Sequence, residues 1–265
     1  MPAKRVYKNS RRKAAKKYKT TVKRVNMSAS ALQAAVRRTL FKNAETKQSQ
    51  ASSTDGQEVG HNSFITIANN VVATTPGVQD PGNSNSTNRI GDEITLLKAK
   101  FCMMLELNER YSDVSYRILV IKSARGDTPS DSTLWNNLSG NRMLDTINTE
   151  RYTILYQKWG KIKAPGLGVG YAPTQDATGS GIYYNSNTQG YNNVSRATRI
   201  VKFDIPGKKF GTNGKIIYDG AGTQQKFFDY NVLIYAYSNY STSSLLGFNV
   251  LRVNDYYHLL KYKDI

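Results

Sequence analysis

The run Leu97-Lys98-Ala99-Lys100-Phe101-Cys102-Met103-Met104-Leu105-Glu106-Leu107 decides the fold class. Leu97, Ala99, Phe101, Met103, Leu105 and Leu107 occupy every second position, with Lys98, Lys100 and Glu106 between them. A period of two puts apolar side chains on one face of a strand and charged ones on the other; a helix would mix them. The run belongs to a long half-buried strand predicted over 90–107. Cys102 is the only cysteine, so an intramolecular disulfide framework is excluded. Lying between Phe101 and Met103, it is expected to pack as a small buried hydrophobe.

Similar signals recur on both sides of this run. Strands are predicted at 61–73, 114–122, 151–162, 196–205, 215–219, 230–238 and 247–262, making eight in all. The segment YNVLIYAYS at 230–238 is nearly all apolar and aromatic, as in a strand buried on both faces. The last strand is expected to bend near Asn254 and Asp255. Turn residues such as Pro76-Gly77, Asp80-Pro81-Gly82, Pro206-Gly207, Asn213-Gly214 and Asp219-Gly220 punctuate the strands. The one helical candidate inside this body is 132–138. With 18 Tyr, 20 Gly and no βαβ alternation, the body is all-β. An eight-stranded antiparallel jelly-roll sandwich over 61–265 fits best. Two long loops, 126–150 and 163–195, stand out, and the second is the candidate for an exposed recognition surface.

The N-terminal end is built differently. Lys4, Arg5, Lys8, Arg11, Arg12, Lys13, Lys16, Lys17, Lys19, Lys23, Arg24, Arg37, Arg38 and Lys42 are 14 cations within 42 residues that contain no Asp or Glu. Removing them from the totals of 37 basic and 19 acidic residues leaves 23 against 19, so the body is nearly neutral. Such a block repels itself and has little apolar surface to bury, so residues 1–27 are expected to be disordered. Within 28–42, Ser28 or Ser30 can cap a helix carrying Leu32, Ala35, Val36 and Leu40 at helical spacing. Residues 43–60, polar and without periodicity, read as a linker.

Flexible cations of this density bind phosphates by releasing counterions, without sequence preference. All 14 are candidate nucleic-acid contacts. Tyr7 and Tyr18 can stack on unpaired bases, although incidental aromatics in a tail are the plainer reading. The Arg11-Arg12-Lys13 and Lys16-Lys17 blocks suit nuclear import.

Other chemistry is poorly represented. His61 and His258 fall in different strands without metal-ligand spacing. Gly166-x-Gly168-x-Gly170 lacks the Gly-Lys-Ser/Thr ending of a phosphate loop. No catalytic residue, cofactor or metal site is expected, and the protein is not expected to be an enzyme. No stretch approaches the roughly 18 apolar residues of a bilayer span, and no secretory signal follows the basic start.

A basic arm, a polar segment and one jelly roll together resemble the capsid proteins of small icosahedral viruses. The nearest resemblance is to coat proteins of circovirus-like, replication-initiator-encoding circular single-stranded DNA viruses, related in fold to satellite-virus coats. It is carried by the arm and by Asn88-Arg89-Ile90-Gly91-Asp92-Glu93-Ile94, which resembles an "R-x-G-D-x-I" strand entry. Val114–Ile121 followed by Arg125-Gly126-Asp127-Thr128-Pro129, and Leu144-Asp145-Thr146-Ile147-Asn148 before Arg151-Tyr152, fit the same layout. Arg125-Gly126-Asp127 reads as a turn, not as an integrin ligand.

The resemblance implies self-assembly of about 60 copies into a closed shell. It further implies a packaged single-stranded genome, DNA rather than RNA, host import factors, a receptor, and location in the virion and host nucleus. The arm mixes Lys with Arg where circovirus arms are Arg-dominated, so a small RNA or satellite virus coat remains an alternative. A cellular nucleic-acid-binding protein with a basic tail is the other.

Overall fold

The computed structural model describes residues 28–44, 46–77, 88–108, 111, 113–136, 139–163, 174–175, 182–183, 197–220, 222–238 and 249–264. The arm 1–27, the turn 80–82, the glycine run 166–170 and most of the 163–195 loop lie outside them. The chain forms two units, 1–43 and 44–265.

In the first unit, helix α1 spans Ala29–Asn43. Of the two predicted caps, Ser28 or Ser30, it is Ser28 whose Oγ accepts from the N–H of Ala31 at 3.3 Å while its carbonyl accepts from Leu32. Leu32, Val36 and Leu40 form an apolar stripe along this helix, 50–61% exposed.

The second unit is an antiparallel sandwich. Its strands are β1 (Thr46–Ser53), β2 (Gln57–Gly60), β3 (Ser63–Ala68), β4 (Glu93–Leu107), β5 (Asp113–Ala124), β6 (Thr153–Lys163), β9 (Thr198–Pro206), β10 (Lys215–Ile217), β11 (Phe228–Ser238) and β12 (Asn249–Asp264). A separate two-stranded hairpin pairs β7 (Thr174–Gln175) with β8 (Ile182–Tyr183). Sheet I has β12 and β4 at its centre, with β1 and β2 end to end along β12 and β9 and β10 end to end along β4. Sheet II runs β3-β11-β5-β6.

The sandwich therefore holds ten strands, not the eight expected, arranged in eight columns. The columns pair first with last and inward from there (β1/β2 with β12, β3 with β11, β4 with β9/β10, β5 with β6), which is the winding of a jelly roll.

The expected linker 43–60 is the main correction, because it supplies β1 and β2. Periodicity misses β1 because it is a polar edge strand. Its eight residues pair with β12 from Thr46↔Lys263 to Ser53↔Tyr256, held by backbone bonds. Gly56 makes the turn into β2 at φ +60°, and a Cβ there would strike the Arg252 guanidinium 2.4 Å away.

Two bulges adjust the register of the central pair. Leu97 is left out between the pairs Lys98↔Lys261 and Leu96↔Tyr262, so the buried series continues through Leu96 and Ile94 while Leu97 turns outward. Gly207, after β9, closes over this bulge; a Cβ there would lie 1.8 Å from the Leu96 carbonyl oxygen. The second bulge falls at Asn254, where a bend was expected.

Between the sheets, Phe203 stacks on Phe101 at 4.9 Å and on Tyr156 of sheet II at 4.1 Å, joining the two layers. A second apolar cluster lies outside sheet II. There Leu119, Ile121, Leu233 and Tyr235 pack under Leu134, Trp135, Ile147 and Tyr152 from the long loop after β5 and the start of β6. A single helical turn, α2 (Asp131–Leu134), anchors that loop, shorter than the helix expected at 132–138. The outer face of sheet I carries no such cover among the described residues.

Candidate nucleic-acid interface

Of the 14 predicted contacts, Lys4 through Arg24 lie outside the described residues, and Arg37, Arg38 and Lys42 sit on α1. Arg38 and Lys42 are exposed and four residues apart, so they share a face away from the Leu32–Val36–Leu40 stripe. Lys42 in the last turn complements the helix dipole.

Where the chain enters the sandwich, it is pinned. Lys47, the second residue of β1, is buried and donates to Asp264 Oδ2 at 3.0 Å and to the Asn88 carbonyl at 3.1 Å. Asp264 also accepts from the backbone N–H groups of Ile90 (2.5 Å) and Gly91 (3.2 Å). Burial alone would raise the Asp264 carboxyl. The two N–H groups and the Lys47 ammonium outweigh it and hold that carboxyl below its ordinary value.

The motif at 88–94 is explained by the same corner. Arg89 is 1% exposed. Its guanidinium donates to the carbonyls of Gly91 (2.5 Å), Gly220 (2.7 Å) and Gly222 (2.6 Å) and lies 4.2 Å from the Tyr218 ring centroid. It ties the entry of β4 to the loop after β10. Arg125-Gly126-Asp127 is a turn, as expected, with Gly126 at φ +80°. Arg125 pairs with Asp219 at 2.8 Å and Asp127 with Arg151 at 2.6 Å.

No protein-family model matches this chain, and no curated protein is similar to it.

Both histidines are buried. His61 is buried against Tyr237, and its Nδ1 accepts from the Ser238 N–H at 3.1 Å. His258 lies inside the sandwich with its Nδ1 3.1 Å from the Tyr256 hydroxyl, and burial pulls its pKa down to about 4. Among the described residues, no three His, Cys, Asp or Glu side chains gather as metal ligands. Cys102 corrects its prediction. Because Phe101 and Met103 point into the core, the residue between them points out, and Cys102 is half-buried on the outer face of sheet I.

That outer face gathers residues from several strands. The pairing register aligns Gln48, Lys261, Lys98 and Pro206 in one row, then Gln50, Leu259, Lys100 and Asp204, then Ser52, Tyr257, Cys102 and Lys202. Further along come Asp255, Met104 and Ile200, and then Arg252, Glu106 and Thr198. Lys98 and Lys100 were visible as the polar half of an alternation. Only the register brings Lys202 and Lys261 beside them.

Proposed function

We propose that this protein is a viral capsid protein whose jelly roll self-assembles into a small icosahedral shell. Its N-terminal arm packages a single-stranded genome, DNA in preference to RNA. The observation that carries the reading is the division of labour along the chain. A jelly roll with almost balanced charge is joined, at the edge strand β1, to a segment holding 14 cations and no carboxylate. A protein built only to hold nucleic acid has no need to keep its folded domain near neutrality, whereas copies that must pack against one another do. With about 60 copies, the arms bring roughly 840 positive charges to the lumen, enough to offset much of a genome on the order of a thousand nucleotides.

Surface features support contacts between copies. Ile217, Phe227 and Phe228 form an exposed apolar patch beside β10, and Ile90 and Leu144 are 78% and 79% exposed at loop positions. The β6 edge of sheet II is blunted: Arg199 donates to the Lys161 carbonyl at 2.5 Å and Lys209 to that of Leu155 at 2.9 Å.

Electron microscopy of purified protein mixed with single-stranded DNA tests the proposal. Uniform closed particles containing nuclease-protected DNA are expected. Deleting residues 2–42 should leave a folded domain whose particles, if formed, are empty. Monomers coating DNA, or full packaging by the truncation, would refute it.

A further inference from the structure

We infer that the outer face of sheet I is a second binding surface for single-stranded nucleic acid, with Tyr257 as the base-stacking platform and Lys98, Lys100, Lys202 and Lys261 as phosphate contacts. The inference rests on the packaging role proposed above and extends it from the arm to the folded domain.

The first argument is charge. In the three rows that start from Gln48, Gln50 and Ser52, four lysines face one carboxylate, Asp204. Asp204 is engaged by Lys98. Lys100, Lys202 and Lys261 make no ion pair with any described carboxylate. Asp255, Arg252 and the largely buried Glu106 lie beyond Tyr257, at the far end of the face.

The second argument is energetic. Lys261 stands directly opposite Lys98, with Lys100 in the next row. Like charges facing each other across an antiparallel pair destabilise it. A sheet that keeps them on a solvent face is stabilised by a polyanion laid across them.

The third is shape and chemistry. Tyr257, 41% exposed, stands in the third row beside Cys102 and Lys202. An aromatic ring among spaced cations is the combination that holds unpaired bases without reading their sequence. Successive outward residues along a strand are about 6.8 Å apart and neighbouring strands about 4.8 Å, so the lysines track an extended backbone past the ring.

The last argument is continuity. The chain following the arm enters the sandwich at Thr46, and the row of Lys261 and Lys98 begins two residues later with Gln48.

The test uses the full chain and a labelled oligothymidylate of about 30 nucleotides, its affinity followed against salt. Replacing Lys100, Lys202 and Lys261 together by Gln should lower the slope of log K against log salt by about two, at roughly 0.7 per lost contact. Tyr257→Leu should weaken binding about tenfold at high salt with the slope kept. The control exchanges Lys163, Lys208 and Lys226 for Gln, an equal loss of charge elsewhere on the body. Bromouracil-substituted oligonucleotide should crosslink to Tyr257. Equal effects of the two triple variants, a silent Tyr257→Leu, or crosslinks confined to residues 1–42 would each overturn the inference and leave the arm's role standing. Failure of the unaltered protein to bind the oligonucleotide at all would remove both.

Discussion

The two outer faces of this sandwich start from the same strand geometry and end differently. On sheet II the outward residues are apolar, Leu119, Ile121, Leu233 and Tyr235, and a loop has been laid over them to make a second small core. On sheet I they include Lys98, Lys100, Lys202, Lys261 and Tyr257, and no described segment covers them. A face that must be dry carries its own lid, encoded in the same chain. The positively charged face is the one inferred above to hold nucleic acid. The difference lies in outward-facing positions of neighbouring strands, so a handful of substitutions could move either face toward the other.

The comparison breaks most readily at the lid. Trp135 is 4% exposed, meets Tyr235 edge-on at 5.9 Å and has the Arg117 guanidinium 5.3 Å from its ring. Trp135→Ala should cost about 3–5 kcal/mol in urea unfolding, the usual range for emptying a large aromatic site. Tyr257→Ala, an equally drastic truncation on the bare face, should cost less than about 1 kcal/mol. Similar losses at the two positions would mean that the faces are not different in kind.

The pinned corner of sheet I comes next. Asp264→Asn leaves the buried Lys47 ammonium without its counter-charge, and a loss of about 3 kcal/mol is expected. The sign of the pH effect follows from the depressed carboxyl. Its stabilisation is complete above the unfolded value of 3.8 and disappears as pH falls through the lower folded value. The unaltered protein should therefore lose stability in strong acid more steeply than the Asn variant, as melting temperatures across that range would report.

A further effect, spread over a pH range, contrasts the two sides of a single strand. Tyr257 faces water, while its neighbour His258 is buried with a pKa of about 4 against 6.5 when free. Between those values the unfolded chain holds the extra proton, so stability should rise with pH from 4 to 6.5, by up to about 3 kcal/mol. His258→Gln should flatten that rise in thermal melts. An unchanged profile would show that the inner side of β12 is as open to water as the outer.

Much of the fold was legible in the sequence wherever burial left a period. The alternation through Phe101, Met103, Leu105 and Leu107 locates β4, and the apolar run at Tyr230–Ser238 locates β11, buried between two neighbours. Legibility failed where pairing, not burial, holds the strand. Thr46–Ser53 is read as a linker because its inward Lys47 is neutralised by a carboxylate more than two hundred residues away. The step at Leu97 was hidden because a bulge is a property of two strands at once. The arm is legible as a cluster of cations. The lysine face is not, since its members come from three strands and only register unites them.

The clamp at Lys47 also has a mechanical meaning. Any pull on the arm enters the sandwich at Thr46, where β1 begins its eight-residue ladder with β12. Tension along the strand is shared by all those backbone bonds together, whereas a sideways pull would open them one by one. The Lys47–Asp264 pair sits at the first place such a zipper would start to open, and it couples β1 to the entry of β4 through Ile90 and Gly91. The domain is thus fitted with a strain relief at the point where its tether attaches.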